Sequence, residues 1–201
     1  MVTSIWDKRG PARWTFAEGW TGRPGTEAPA PDRLLLRYFA AFGPATVQDA
    51  QAWSGLTRLR EIADRLGPAL RRFRDAAGRE LLDLPGGPRP DPGTPAPPRF
   101  LPEYDNVLLS YADRGRIITG GRAVPLPPGN GGARGTLLVD GFFQGTWHAA
   151  RSAGKATLRI ETFDQLSGAD GDAVASEGMQ LLRFIAPQLE PEIVLLPGQV
   201  S

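Results

Sequence analysis

Few side chains in this sequence could carry out covalent or metal-based chemistry. The chain of 201 residues contains one histidine, His148, and no cysteine. Disulfides and thiolate metal sites are therefore excluded, and only an all-carboxylate site for a hard cation would remain possible. The glycines at 129–135 lack the Lys-Ser/Thr ending of a phosphate loop, so they predict an ordinary loop. We predict no metal and no cofactor, and a structural or solvent-facing role for His148.

Two acidic positions are candidates for general acid–base chemistry. Asp105 lies in the run Glu103-Tyr104-Asp105, and Asp113 precedes Arg114. In a binding cleft, such carboxylates could act as a general base or an electrostatic stabiliser. The competing interpretation is that Asp105 caps the helical turn that follows it, and that Asp113 pairs with Arg114 or Arg116. We favour that interpretation, and the sequence assigns no catalytic residue.

Arginine is the side chain whose distribution is most informative. Residues 58–79 contain seven arginines and three acidic residues, although the net charge of the whole chain is only +1. Guanidinium groups suit bidentate contacts to phosphate, whereas many arginines beside many glycines, prolines and alanines also indicate a high-GC genome. The predicted DNA-binding residues are Arg58, Arg65, Arg71, Arg72, Arg74, Arg114 and Arg116.

The elements that would position these arginines form a recognisable pattern over residues 32–84. Apolar spacing predicts helices at 32–42, 47–53 and 58–66, the second capped by Thr46 and the third by Thr57. Strands at 70–74 and 79–84 flank the turn 75–78 and predict a hairpin. This order is a winged helix-turn-helix. The alternatives are a solvated charged face and a winged helix that contacts only protein.

The remaining sequence divides at a run of prolines. Residues 1–31 carry Trp6, Trp14 and Trp20, which need apolar cover. We expect this N-terminal segment to pack on the winged helix; the alternative is a preceding domain.

Residues 85–99 form a proline-rich linker. Residues 100–201 predict a small β-barrel-like domain with one C-terminal helix, so the fold class is α+β. Its predicted elements are strands at 116–119, 123–126, 136–139, 142–148, 155–163 and 192–196 and a helix at 170–187, with a tight turn at Asp140-Gly141.

The sequence contains neither the apolar core of a signal peptide at its start nor about 20 consecutive apolar residues for a membrane span. We therefore expect a cytoplasmic protein that does not enter a membrane.

Five sequence motifs carry a family resemblance. They are the run Arg37 to Leu56, the run Phe100 to Ser110, Ala112-Asp113-Arg114, Val139-Asp140-Gly141 and Gly145-Thr146-Trp147. In this order they resemble the winged-helix DNA-binding family that includes the bacterial AlkZ/YcaQ-like DNA glycosylases. The resemblance covers nearly the whole chain and corresponds to the C-terminal half only of a family member. It implies tandem winged helices, a C-terminal β-barrel and double-stranded DNA as partner.

The chain departs from that family at the catalytic motif. Family glycosylases carry a Gln-x-Gln or Gln-x-Asp motif in an N-terminal winged-helix region, and the seven glutamines of this chain make neither pattern. We therefore expect a DNA-binding module of a DNA-repair protein without independent catalysis, and a missing N-terminal domain or partner chain. One alternative is an active glycosylase for alkylated or crosslinked bases, alone or with that missing half. Another is a protein-interaction module.

Overall fold

The computed structural model describes residues 15–24, 30–123 and 134–198. In this part the chain is a mixed α+β protein, as predicted, with six α-helices and seven strands. The helices are α1 (Ala17–Thr21), α2 (Pro31–Phe42), α3 (Val47–Ser54), α4 (Leu59–Leu66), α5 (Asn106–Leu109) and α6 (Gly168–Ile185). The strands are β1 (Arg71–Arg74), β2 (Glu80–Asp83), β3 (Arg99–Leu101), β4 (Gly135–Val139), β5 (Phe142–Ser152), β6 (Lys155–Thr162) and β7 (Glu190–Leu196).

Helices α2, α3 and α4 pack around one apolar core and, with the β1–β2 hairpin, form the N-terminal unit (residues 31–84). The core contains Leu35, Tyr38, Phe39, Ala50, Leu59 and Leu82. Helix α3 begins with a capping box, because Thr46 accepts from the Asp49 backbone N–H and Asp49 accepts from that of Thr46. The predicted Thr57 cap is wrong. Helix α4 begins after Arg58, whose φ is 60°, and the Leu59 N–H donates instead to Gln51 Oε1 at 3.3 Å.

The β1–β2 hairpin confirms the predicted turn at 75–78. Strands β1 and β2 are antiparallel, with Arg71 opposite Asp83 and Arg74 opposite Glu80. The Asp75 carboxylate stabilises the turn, because its Oδ1 accepts from the N–H groups of Ala77 and Arg79, both at 2.9 Å. The turn therefore fixes the hairpin that carries Arg71, Arg72, Arg74 and Arg79.

Residues 85–98 form neither helix nor strand, whereas Arg99, the last residue of the predicted linker, already belongs to β3. Arg89 attaches residues 85–98 to the hairpin. One Arg89 nitrogen donates to Asp83 Oδ2 at 3.0 Å and to the Leu84 carbonyl at 2.6 Å. The other donates to the Gly87 carbonyl at 3.0 Å. The Asp83 side chain is almost fully buried, so Arg89 is the cation that compensates a buried carboxylate.

Replacing Arg89 with alanine is expected to lower the free energy of unfolding by about 2 kcal/mol. Loss of one partner of a fully buried ion pair costs about 3–5 kcal/mol, and the effect is smaller here because the Arg89 side chain is 31% exposed. Urea denaturation measures the change. Arg89→Lys, which keeps the charge but not the several carbonyl contacts, should give an intermediate value; an alanine variant as stable as the parent would contradict this role.

The five-stranded sheet has the order β3-β4-β5-β6-β7. Strands β4 and β5 meet at the predicted turn, where Asp140 and Gly141 both have positive φ, 51° and 77°. Strand β7 runs parallel to β6, and α6 connects the two. Helix α6 packs Val174 and Leu182 against Leu158 and Ile160 of the sheet.

The prediction of a barrel-like domain is not confirmed. In the described part of the chain, β3 and β7 lie at opposite edges of the sheet and do not pair. The parallel β6–α6–β7 connection gives the physical reason, because α6 covers one apolar face that a closed barrel would otherwise enclose.

Two further predictions differ from the structure. Residues 116–119 are not a strand: the N–H groups of Ile117 and Ile118 both donate to the Arg114 carbonyl and form a turn. The predicted strand at 123–126 falls, after residue 123, outside the described residues. In the N-terminal segment, Phe16 and Trp20 are each more than 80% exposed, so these two side chains do not pack on the N-terminal unit; Trp6 and Trp14 lie outside the described residues.

Candidate nucleic-acid interface

The bridging segment (residues 105–118) connects the N-terminal unit to the five-stranded sheet. Tyr38 of α2 donates its hydroxyl to the Ser110 carbonyl at 2.7 Å, and Tyr111 donates to the Phe42 carbonyl at 3.0 Å. On the other side, the Phe143 N–H donates to the Ile117 carbonyl at 2.9 Å. Burial raises the pKa of the Tyr38 hydroxyl well above its usual value, so it remains a donor.

Asp49 joins α3 to the bridging segment. Its side chain is buried, and its Oδ2 accepts from the Thr46 N–H at 2.8 Å. Its Oδ1 accepts from the N–H groups of Ala112 at 2.9 Å and Asp113 at 3.4 Å. The buried carboxylate therefore fixes the bridging segment against the N-terminal unit. Sequence reasoning did not identify this role, although the Thr46–Asp49 spacing signalled the capping box.

A cleft of about 190 Å³ opens beside this junction and is lined by Tyr111, Asp113, Arg114, Arg116 and Ile117. The Arg116 guanidinium lies 5.1 Å from the centre of the Tyr111 ring and donates to the Pro44 carbonyl at 3.0 Å. Arg114 is half-buried and donates through Nε to the Leu108 carbonyl, so it has a structural contact within the bridging segment. Arg116 is the more exposed of the two.

Arg79 extends from the hairpin to the edge of this cleft. It donates to Asp75 Oδ2 at 2.7 Å through Nε and to Asp113 Oδ2 at 2.5 Å through a terminal nitrogen. The other Asp113 oxygen accepts from the Gly115 N–H at 2.9 Å. The bond from Gly115, followed by that from Arg79, lowers the pKa of the Asp113 carboxyl. The prediction that Asp113 pairs with Arg114 or Arg116 is therefore wrong, because a residue 34 positions away takes its carboxylate.

The hairpin arginines at positions 71 and 74 are exposed and, among the described residues, form no ion pair. The Arg71 guanidinium lies 4.9 Å from the centre of the Phe73 ring. Arg74 donates to the Gly78 carbonyl at 2.9 Å. Each of these guanidinium groups uses few of its five donors, so most remain available to a ligand.

Arg72, by contrast, belongs to a charge network between α4 and the hairpin. Glu80 accepts from Arg72 at 2.5 Å and from Arg60 at 2.6 Å, and Arg72 also lies 3.6 Å from Asp64. The hydrogen bond from Arg60, then that from Arg72, lowers the pKa of the Glu80 carboxyl. Two positive and two negative charges compensate each other here.

The exposed face of α4 is likewise paired. Arg58 makes two hydrogen bonds to Glu61, at 2.9 and 3.0 Å, and Arg65 donates to Asp32 of α2 at 2.7 Å. This geometry agrees with the solvated charged face that the sequence left open for α4. Arg33 and Arg37, exposed on α2, also form no ion pair among the described residues, and sequence reasoning did not single them out.

The structure thus separates the seven predicted DNA-binding arginines into three groups. Arg71 and Arg74 lie on the hairpin without an ion pair to any described residue, and Arg114 and Arg116 line the cleft that Arg79 connects to the hairpin. Arg58, Arg65 and Arg72 are held by carboxylates. Arg79 was missed as a site residue because its partner Asp113 is distant in sequence.

Asp105 and His148, which were considered for catalysis, lie at positions with structural contacts. Asp105 caps α5, as predicted, by accepting from the Val107 N–H at 2.8 Å. His148 is half-buried in β5, opposite Arg159 of β6. No cluster of three or more potential metal ligands occurs among the described residues. In the same part of the chain, no helix is both long and apolar enough to span a bilayer.

Comparison with known families matches residues 2–184 to the family described as DNA glycosylase AlkZ-like. A comparison with curated proteins gives no match. Among solved structures, the DNA glycosylase AlkZ of Streptomyces sahachiroi is similar, with a TM-score of 0.61 and 20% sequence identity over 93% of this chain and 53% of that chain. An identity this low shows likeness of fold alone. The chain spans about half the length of that structure.

Proposed function

The chain belongs to the family of AlkZ-like DNA glycosylases, and from this premise we propose that it is a DNA-binding unit of a DNA-repair protein. In this proposal residues 32–84 act as a winged helix on double-stranded DNA, with the β1–β2 hairpin as the wing. The proline-rich residues 85–99 separate this unit from residues 100–201.

The observation that carries the proposal is the pair of unpaired arginines on the wing. Arg71 and Arg74 are exposed and pair with no carboxylate of the described residues, so we expect them to contact phosphate without first breaking an ion pair. Arg116 lies in the cleft near Asp113 but, among the described residues, makes no direct ion pair. We assign these three arginines as the principal phosphate contacts.

The other predicted arginines have secondary roles in this proposal. Arg58, Arg65 and Arg72 would have to exchange a carboxylate for a phosphate, and exposed ion pairs of this kind are worth only about 0–1 kcal/mol. These three arginines can therefore bind phosphate groups once the wing arginines contact the DNA. Arg114 contributes mainly by holding the bridging segment, through its bond to the Leu108 carbonyl.

We further propose that the chain alone does not excise bases. Base excision requires a group beside the flipped nucleotide that positions water or stabilises the sugar cation. The sequence lacks the Gln-x-Gln and Gln-x-Asp motifs, and Asp105 and Asp113 already have structural partners. A domain or partner chain that supplies this motif would complete a glycosylase.

A single assay tests both parts of the proposal. The chain is mixed with a fluorescent duplex containing an alkylated base; anisotropy measures binding, and chromatography measures free base against a protein-free control. We expect a dissociation constant of roughly 10⁻⁴ to 10⁻⁶ M at physiological salt, which weakens steeply as salt rises, and no base release above the control. Base release by the chain alone would overturn the non-catalytic part. Absence of binding at low salt would favour a protein-interaction module.

A further inference from the structure

The edge of the cleft between the hairpin and residues 111–117 already holds an anion, which is the carboxylate of the chain's own Asp113. Arg79 donates to this carboxylate at 2.5 Å. Arg116 lines the small cleft between the hairpin and this segment together with Arg79 and Asp113, and Asp49 and Asp75 belong to the same lining. The charge of Arg116 also favours the ionised form of Asp113. Two guanidinium groups from different elements thus face one anionic position.

We propose that this position is a binding site for a phosphodiester group of the DNA backbone, formed by Arg79 and Arg116, and that Asp113 occupies it in the free chain. The inference rests on the proposed function, because it places one phosphate of a duplex that the hairpin contacts. It adds a residue, Arg79, to the interface and gives Asp113 a role as an internal competitor of the phosphate.

Exchange of the Asp113 carboxylate for a phosphate group at Arg79 costs little free energy. The side chains of Arg79 and Asp113 are 50% and 54% exposed, and ion pairs that water reaches so easily contribute little. Arg79 also keeps its second carboxylate, Asp75, at 2.7 Å, so its position at the hairpin turn does not depend on Asp113.

The Asp113 carboxylate is held where it competes with phosphate for Arg79 at all times. The Gly115 N–H fixes one of its oxygens at 2.9 Å, and its lowered pKa keeps the carboxylate ionised at neutral pH. A fixed negative charge at this edge reduces affinity for any phosphate nearby. The chain therefore binds DNA more weakly than its arginines alone would allow.

The adjacent arginines connect this site to the proposed wing. Arg74 donates to the Gly78 carbonyl at the same turn from which Arg79 departs. Arg74 and Arg79 thus belong to the same turn of the hairpin, and Arg79 and Arg116 belong to the same cleft. Arg116 has donors to spare, because the Pro44 carbonyl occupies only one of its nitrogens.

Asp113→Asn is the decisive variant, because asparagine retains an oxygen for the Gly115 N–H and removes the charge. We expect it to bind a 20-base-pair duplex about three- to tenfold more tightly than the parent at about 100 mM salt. The plot of log K against log salt should steepen by about 0.9, the value for one additional phosphate contact. Arg79→Gln combined with Asp113→Asn should lose this gain.

Glu192→Gln is the matched control. It releases Lys155 of β6 from an exposed ion pair of 3.7 Å and changes the net charge by the same amount, but on the five-stranded sheet and at no predicted DNA-binding residue. We expect less than a twofold change, and circular dichroism melting verifies that all variants fold. Equal gains in DNA affinity for both variants would show that only the overall charge matters, and would overturn the proposed site.

Two other results distinguish failure of the proposed site from failure of the proposed function. If the parent binds DNA but Asp113→Asn leaves affinity and salt dependence unchanged, the site is wrong while the proposed function stands. If neither protein binds duplex at low salt, the proposed function fails and the site with it.

Discussion

Replacement of Asp49 by alanine is expected to lower the free energy of unfolding by about 3 kcal/mol. The buried carboxylate accepts from three backbone N–H groups, those of Thr46, Ala112 and Asp113. Hydrogen bonds to a charged group contribute roughly 1.5–3 kcal/mol each, and part of this loss is recovered when water enters. In a chain of this length, such a loss lowers the melting temperature by roughly 6–12 °C.

Two variants in the same helix sharpen this prediction. Asp49→Asn keeps one acceptor oxygen and should lose about half as much. Gln48→Ala, at an exposed neighbouring position, should change stability by less than about 0.5 kcal/mol. A loss below about 1 kcal/mol for Asp49→Ala in urea denaturation would show that the bridging segment is held mainly by the Tyr38 and Tyr111 contacts instead.

Removal of both unpaired wing arginines, Arg71→Ala with Arg74→Ala, is expected to weaken DNA binding about thirtyfold. Each substitution removes a charge-assisted contact worth about 1 kcal/mol at an exposed position, and about 2 kcal/mol together corresponds to that factor. Stability should change little, because neither side chain is buried or paired with a carboxylate in the described residues. Fluorescence anisotropy at about 100 mM salt measures the loss.

Local signals in the sequence predicted the helices and hairpins well. Gly43, Gly55 and Gly67 mark the ends of α2, α3 and α4, and Asp140-Gly141 specifies its turn through two positive φ values. Each of these features depends on residues within a few positions of one another. Propensity and capping rules are therefore sufficient to place them.

Tertiary partners could not be predicted in the same way. Arg79 and Asp113 are 34 positions apart, and Asp49 and Ala112 are 63 apart. A run of arginines indicates a basic surface. Which of these arginines are neutralised by carboxylates is determined only by the fold. For the same reason the Thr57 cap was wrong, because Gln51 of the preceding helix takes the Leu59 N–H.

The absence of sheet closure also follows from long-range packing. The alternating strands of residues 135–162 are compatible with a barrel and with an open sheet. The parallel pairing of β7 with β6, and the cover that α6 gives to Leu158 and Ile160, decide in favour of the open sheet in the described residues. The predicted order of strand, helix and strand over residues 155–196 is typical of a parallel crossover, so a signal for this arrangement was present in the sequence.

The central claim is that the chain binds DNA through the hairpin edge, and the salt dependence of affinity tests it most directly. We compare the parent, the Arg71→Ala Arg74→Ala variant and the control variant Arg33→Ala Arg37→Ala, which removes two exposed, unpaired arginines from α2. We expect the slope of log K against log salt to become shallower by about 1.8 for the wing variant, the value for two phosphates, and to change little for the control. Equal changes in both variants, or an unchanged slope for the wing variant, would contradict this claim.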